Sequence, residues 1–272
     1  MTIRHLVRLG IASSLLSIAY GFSAHAAIVT PADTSPTAVD PFVWGDANVR
    51  PGGSVAITNS QPRSGNGSLE FATSGSGAKA DFEIFWNDPT RTLGNLSAAS
   101  FDWYRDSSST APQHLTPTFR LYFQTASGET GLLIWEDVYN GGSTAVPAPT
   151  DTWVSEDITD DNFWMRAFGP GRTIEQFGVT LADWEGGATF PNPSGQSPVL
   201  GADTLITGMN VGVGSGWAGD FLGYVDNVSL TFGQDDTILA NFETAAVPEP
   251  ASLALFVVGL LGLGATARRR RA

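Results

Sequence analysis

Over residues 118–125 every second side chain is apolar: Phe119, Leu121 and Phe123 point one way, and Arg120, Tyr122 and Gln124 the other. A period of two is the repeat of a β-strand, and one wet face marks an antiparallel sheet covered on its other side. The alternation recurs at 79–86, with Ala80, Phe82, Ile84 and Trp86 on one face, and at 100–105, where Phe101 and Trp103 fall together. Residues 130–138 form a second strongly apolar strand, joined to the first as a hairpin by Ala126-Ser127-Gly128-Glu129. Further strands are expected at 68–72, 204–213 and 223–232, the last turning Tyr224, Asp226, Val228, Leu230 and Phe232 inward.

Composition agrees with short strands and many turns. The chain holds 31 glycines, and Lys79 is its single lysine, so long helices lack their usual formers. One helix is expected at 173–184, where Ile174, Phe177, Leu181 and Trp184 recur at helical spacing before Gly186-Gly187. Each half-apolar sheet needs a covering layer, which predicts an all-β fold: a two-sheet antiparallel β-sandwich, jelly-roll-like, with one short helix. That domain is expected over 27–233, beginning with an extended stretch broken by Pro31, Pro36 and Pro41, with a loop at 187–203. Residues 234–246 follow as a spacer carrying a short strand at 238–242. There is no cysteine, so no disulfide staples the body and thiol chemistry is excluded.

Both ends read as addresses. Arg4, His5 and Arg8, an apolar stretch at 9–20 and Ala24-His25-Ala26 make residues 1–26 a secretory signal peptide. At the other end Pro248-Glu249-Pro250 leads into an apolar run at 251–267 and then Arg268, Arg269, Arg270 and Arg271. As a helix rising ~1.5 Å per residue that run barely crosses a hydrocarbon core of ~30 Å, and the arginines would stay on the cytoplasmic side. Tripeptide, helix and arginine cluster together, residues 247–272, closely resemble the PEP-CTERM sorting signal of Gram-negative bacteria. The resemblance implies transient insertion in the inner membrane and processing by an exosortase-like membrane enzyme. It also implies delivery to the cell surface or extracellular matrix of organisms that make exopolysaccharide and biofilm.

Net charge narrows the partners. Six of the 14 basic residues lie in the terminal signals, whereas 26 of the 27 acidic ones lie in 28–246, leaving eight basic residues there and a net charge of −18. Such a surface repels nucleic acid. Paired carboxylates such as Asp81/Glu83 or Glu136/Asp137 follow from acidic abundance alone. His114 is the one histidine outside the signal peptide, and no Gly-x-Ser-x-Gly elbow occurs. No catalytic residue is assigned and a non-enzyme is expected.

Trp86 and Trp103 read as core, and Trp135, Trp184 and Trp217 as candidate sugar platforms. The segment 214–230 resembles the closing part of jelly-roll carbohydrate-binding-like domains. That resemblance implies Asp226 as an oxygen ligand of a buried structural calcium, with Asp40, Asp46 and Asn48 as partners. The expected role is structural or adhesive. Its alternatives are a carbohydrate-binding protein acting on exopolysaccharide, and a secreted glycoside hydrolase or lyase.

Overall fold

The structure, a computed structural model, describes residues 27–35, 42–169, 172–188, 191–192, 195–196 and 198–245. In chain order the first strands are β1 (Ala27–Val29), β2 (Thr34–Ser35), β3 (Trp44–Ala47), β4 (Gly53–Thr58), β5 (Ser68–Ser74), β6 (Lys79–Phe85) and β7 (Leu96–Arg105). Then come β8 (Thr118–Gln124), β9 (Thr130–Trp135), β10 (Trp153–Asp157), β11 (Trp164–Gly169) and β12 (Arg172–Gln176). The short helix α1 (Leu181–Glu185) precedes β13 (Pro191–Asn192), β14 (Gly195–Gln196), β15 (Leu205–Gly214), β16 (Asp220–Phe232) and β17 (Asp236–Phe242).

Two sheets face each other. The eight-stranded sheet runs β12-β11-β9-β8-β15-β6-β3-β2. In the seven-stranded sheet the long β16 pairs along one edge with β17 (from Val228) and β5 (up to Val225), and along the other with β7, which carries β10. Pairing is antiparallel except at two edges, β1 with β17 and β2 with β3. The expected sandwich is thus present, with mixed sheets.

The layers meet through the apolar halves of the alternating strands. Phe101 of β7 sits 5.6 Å from Phe119 and 5.3 Å edge-on from Trp135, both in the opposite sheet. Trp44 stacks on Phe82 at 5.6 Å and meets Phe242 of the other sheet at 5.4 Å. Each fully buried aromatic ring or leucine in such a layer is worth about 1.5–3 kcal/mol of transfer free energy.

Three expectations are corrected. Residues 172–176 are strand β12, paired with β11, and the helix is confined to Leu181–Glu185. Gly178, at φ 72°, breaks the helical run, and Thr180 restarts it as an N-cap accepting from the Asp183 amide. Residues 236–242 are an integral strand of the sandwich, held by β16 and β1, so the body reaches well past 233. Tyr224 does not share the inward face: it pairs edge-on with Tyr104 at 5.7 Å, while Val225 and Val228 both enter the core. A register shift between Asp226 and Ser229, with Asn227 at φ 50°, inserts the extra step that resets the alternation.

Phe101→Ala is expected to lower the unfolding free energy by about 3–5 kcal/mol in urea titration. Val199→Ala, at a side chain 60% exposed, should stay within about 0.5 kcal/mol.

Candidate functional site

The outward side chains of the eight-stranded sheet fall into rows across the strands. One row reads Glu83, Asn210, Arg120, Ile134, Trp164, and the next Phe85, Gly208, Tyr122, Leu132, Arg166. The first half of each row is polar or aromatic and the second half apolar before it ends in Trp164 or Arg166. Register alone therefore places a hydrogen-bonding patch beside an apolar strip.

The polar half is a closed network. The Arg120 guanidinium is buried, and its Nη1 donates to Asp81 Oδ1 at 2.7 Å and to Asn210 Oδ1 at 2.6 Å. Lys79 pairs with the other Asp81 oxygen at 2.5 Å, and Asn48 Nδ2 donates to that oxygen at 3.3 Å. Glu83 Oε2 accepts from the Tyr122 hydroxyl at 2.5 Å and from Asn210 Nδ2 at 3.0 Å. Burial and the Glu83 hydrogen bond hold the Tyr122 phenol well above its usual range, so it remains a donor. Gly212 makes this possible: a Cβ there would lie 2.1 Å from Asp81 Oδ1 and 2.8 Å from Arg120 Nη1.

Beside the network lies a trough of about 360 Å³, walled by Arg50, Lys79, Arg120, Arg166, Glu136 and Trp164 and floored in part by Leu132 and Ile134. Burial raises the Glu136 carboxyl above the ordinary range, against the pull of Arg120 and of the Trp164 indole edge. Lys79 is lowered, first by desolvation and then by Arg120, while Asp81 opposes the shift. At the rim Phe177 stacks on Trp164 at 5.1 Å and Tyr139 lies 5.2 Å from Phe177, with Phe168 exposed nearby. A wider hollow of about 630 Å³ on the opposite sheet is lined by Asp102, Glu156, Asp157, Asn227, Leu239 and small side chains, with no ring among them, and Arg63 bonds to its Asp102 and Ser155. The trough, unlike that hollow, has apolar side chains and cations in its own lining.

The tryptophans singled out from sequence are not exposed platforms. Trp135 is 1% exposed, donates to Asp161 at 2.8 Å and faces the core, and Trp184 is fully buried with its indole N–H on the Phe163 carbonyl. Both stand on the apolar side of their elements. Trp217 is also buried, edge-on to Phe221 at 5.0 Å, though it touches the trough wall. The residues of β11 that do border the trough follow a weaker alternation: the aromatic Trp164 and Phe168, with Arg166 between them, point out beside the buried Met165 and Ala167.

Asp226 is fully buried where the loop after β4 meets β17. Its carboxylate accepts from the Phe242 amide at 2.9 Å and the Ser64 amide at 3.3 Å. Desolvation, with a smaller contribution from Glu243, pushes its pKa up to about 6. Glu243 is itself fully buried: Oε2 accepts from the Asn66 amide, whereas Oε1 has no hydrogen-bond partner, and neither has Asn241 Oδ1. A Cβ on Gly65 would fall 1.9 Å from that Oε1. Asn66 also clasps the strand end, accepting from the Thr244 amide at 2.9 Å and donating to the Ala245 carbonyl at 3.2 Å. The partners expected for Asp226 lie elsewhere. Asp46 stands on β3 in the opposite sheet, Asn48 binds Asp81, and Asp40 lies outside the described residues. Among the described residues no three histidines or carboxylates gather.

No curated protein matches this chain. Among solved structures, a family 11 carbohydrate-binding module from Clostridium thermocellum, in complex with a β-1,3-1,4-mixed-linked tetrasaccharide, is similar at 14% identity. It covers 73% of this chain and 94% of its own, with a TM-score of 0.37. The C-terminal family 22 module of a Clostridium thermocellum protein matches at 15% identity over 71% and 88%, TM-score 0.31. An exo-β-agarase matches at 13% over 78% of this chain and 25% of its own, TM-score 0.37. Pro248, Glu249, Pro250 and the four arginines lie outside the described residues. Residues 246–271 match the family model of the PEP-CTERM protein-sorting motif, the C-terminal signal of proteins exported across the inner membrane to the cell surface.

Proposed function

We propose that the exported body is a non-catalytic, adhesive domain that holds polysaccharide of the surrounding matrix along the trough. One observation carries this reading: the half-buried Leu132 and Trp164 lie in register beside Arg120, and with Lys79 these side chains line one trough. A sugar ring needs that combination, because its C–H faces pack on flat apolar groups while its hydroxyls need hydrogen bonds. Asp81 ties both Lys79 and Arg120, so the remaining N–H groups of these two cations are held in place before a ligand arrives. Both Asp81 oxygens are engaged by Lys79, Arg120 and Asn48, and Glu83 Oε2 takes two hydrogen bonds, so these carboxylates act as struts. That leaves Glu136 as the one carboxyl on the trough wall among the described residues, with no second one facing it there.

The full chain should bind at least one polymer of a plant and bacterial polysaccharide panel saturably, and Trp164→Ala should weaken that binding by about tenfold or more. An unchanged melting temperature in the variant would show that the loss is local. Failure to bind any polymer, or release of reducing ends from one, overturns the reading.

The buried junction around Asp226 supports a second proposal, a structural calcium. The set proposed from the structure is Asp226, Glu243 and Asn241, in place of Asp40, Asp46 and Asn48. The fit rests on two buried oxygens, Glu243 Oε1 and Asn241 Oδ1, that lack donors beside a second buried carboxylate. A hard cation satisfies oxygen atoms that protein donors leave bare. Calcium should raise the melting temperature over chelator by about 5–10 °C, and Glu243→Gln should abolish the difference. Equal melting with calcium and with chelator rejects the metal.

A further inference from the structure

The body is strongly acidic, yet its positive charge is gathered at one place. Of the eight basic residues between 28 and 246, four wall the trough: Arg50, Lys79, Arg120 and Arg166. One carboxylate, Glu136, shares that wall. Asp81 beneath it serves the half-buried Lys79 and the buried Arg120 together, and Glu136 attracts Arg120 from the wall. Arg166 is about half exposed and reaches Glu175 only at 3.9 Å, while Arg50 is exposed at the other end. Chance scattering of eight cations over a sandwich this size would not line one trough with half of them. The crowding carries an electrostatic penalty, since Arg120 and Arg50 both oppose the charge on Lys79.

We infer that the trough selects anionic polysaccharides, whose sugar rings lie on Leu132 and Trp164 while carboxylate or sulfate groups meet Arg50 and Arg166. The inference rests on the glycan-binding reading and adds the charge class of the glycan. Guanidinium groups form paired, charge-assisted hydrogen bonds with planar carboxylates and with sulfate oxygens, and these are stronger than neutral ones. The negative remainder of the body disfavours a polyanion everywhere else, so the trough would also fix where the polymer lies.

The test compares the full chain on a polyuronate, on the same polymer after carboxyl reduction, on a sulfated galactan and on neutral glucans. Each is measured in calcium and in chelator by affinity electrophoresis and calorimetry. Binding to a charged polymer that drops about tenfold or more on carboxyl reduction or desulfation, and by about five- to tenfold in Arg50→Gln and Arg166→Gln, supports the inference. The polymer that binds more tightly distinguishes carboxylate from sulfate. Both arginines reach solvent, so the variants should melt as the parent does.

Equal or tighter binding to the neutral polymers overturns the anionic class and leaves the glycan-binding reading intact. Binding that vanishes in chelator and ignores both arginine variants also overturns it, because the polyanion would then be bridged by calcium on the acidic surface. Silence on every polymer removes both readings. Concentration-dependent self-association in sedimentation, lost in the two variants, would instead assign the cations to the acidic surface of a second copy and overturn the inference.

Discussion

Arg120 is always charged, and it stands at 6% exposure on the outer face of a sheet. Taking a guanidinium out of water costs several kcal/mol unless a partner meets it with good geometry, and removing the partner of a buried pair typically costs about 3–5 kcal/mol. Asp81 is that partner, two strands away, and the strand between them must therefore pass without a side chain at Gly212. This one requirement fixes the register of β6, β15 and β8 as firmly as the core beneath them. It also sets the positions of Lys79, Asn48 and Asn210, each of which bonds to Asp81 or Arg120. The outer surface of this sheet is tied together by these polar bonds, as the interior is by apolar packing.

Much of the fold was legible because alternation is a strong signal when one side of a sheet is dry. The strands at 79–85 and 118–124 lie where the period of two placed them, and the hairpin to 130–135 forms as expected, although that apolar strand stops before 138, where a 3-10 turn takes Asp137–Tyr139. The sequence misled where local geometry outweighed period. A helical spacing at 173–184 met Gly178, which takes a positive φ and divides the segment. Asn227 shifted the phase of β16, so Tyr224 and Val228, four residues apart and expected on one face, stand on opposite ones.

The candidate site was harder to read, for a physical reason. Large aromatic rings in a sandwich of this size are needed first as filler, and Trp135 and Trp184 serve there. A ligand surface is made by what the same strands turn outward, which is where Arg120 and Tyr122 were already placed by alternation. What one strand could not reveal is that Asp81, Glu83, Asn210 and Trp164, far apart in the chain, come to lie in the same rows. Only sheet order supplies that juxtaposition.

The clasp of Asn66 on Thr244 and Ala245 has a bearing on export. The folded body grips its own chain as far as Ala245, and only Ala246 and Val247 separate that point from Pro248. Three extended steps of chain span at most about 11 Å. An enzyme that reads Pro248-Glu249-Pro250 after the sandwich has folded would therefore work within that reach of Ala245. The end bearing Asp226, Glu243 and Asn66 would thus be the underside of the domain while the anchor is intact, so that the grip on the last strand sets how much slack the processing enzyme is given.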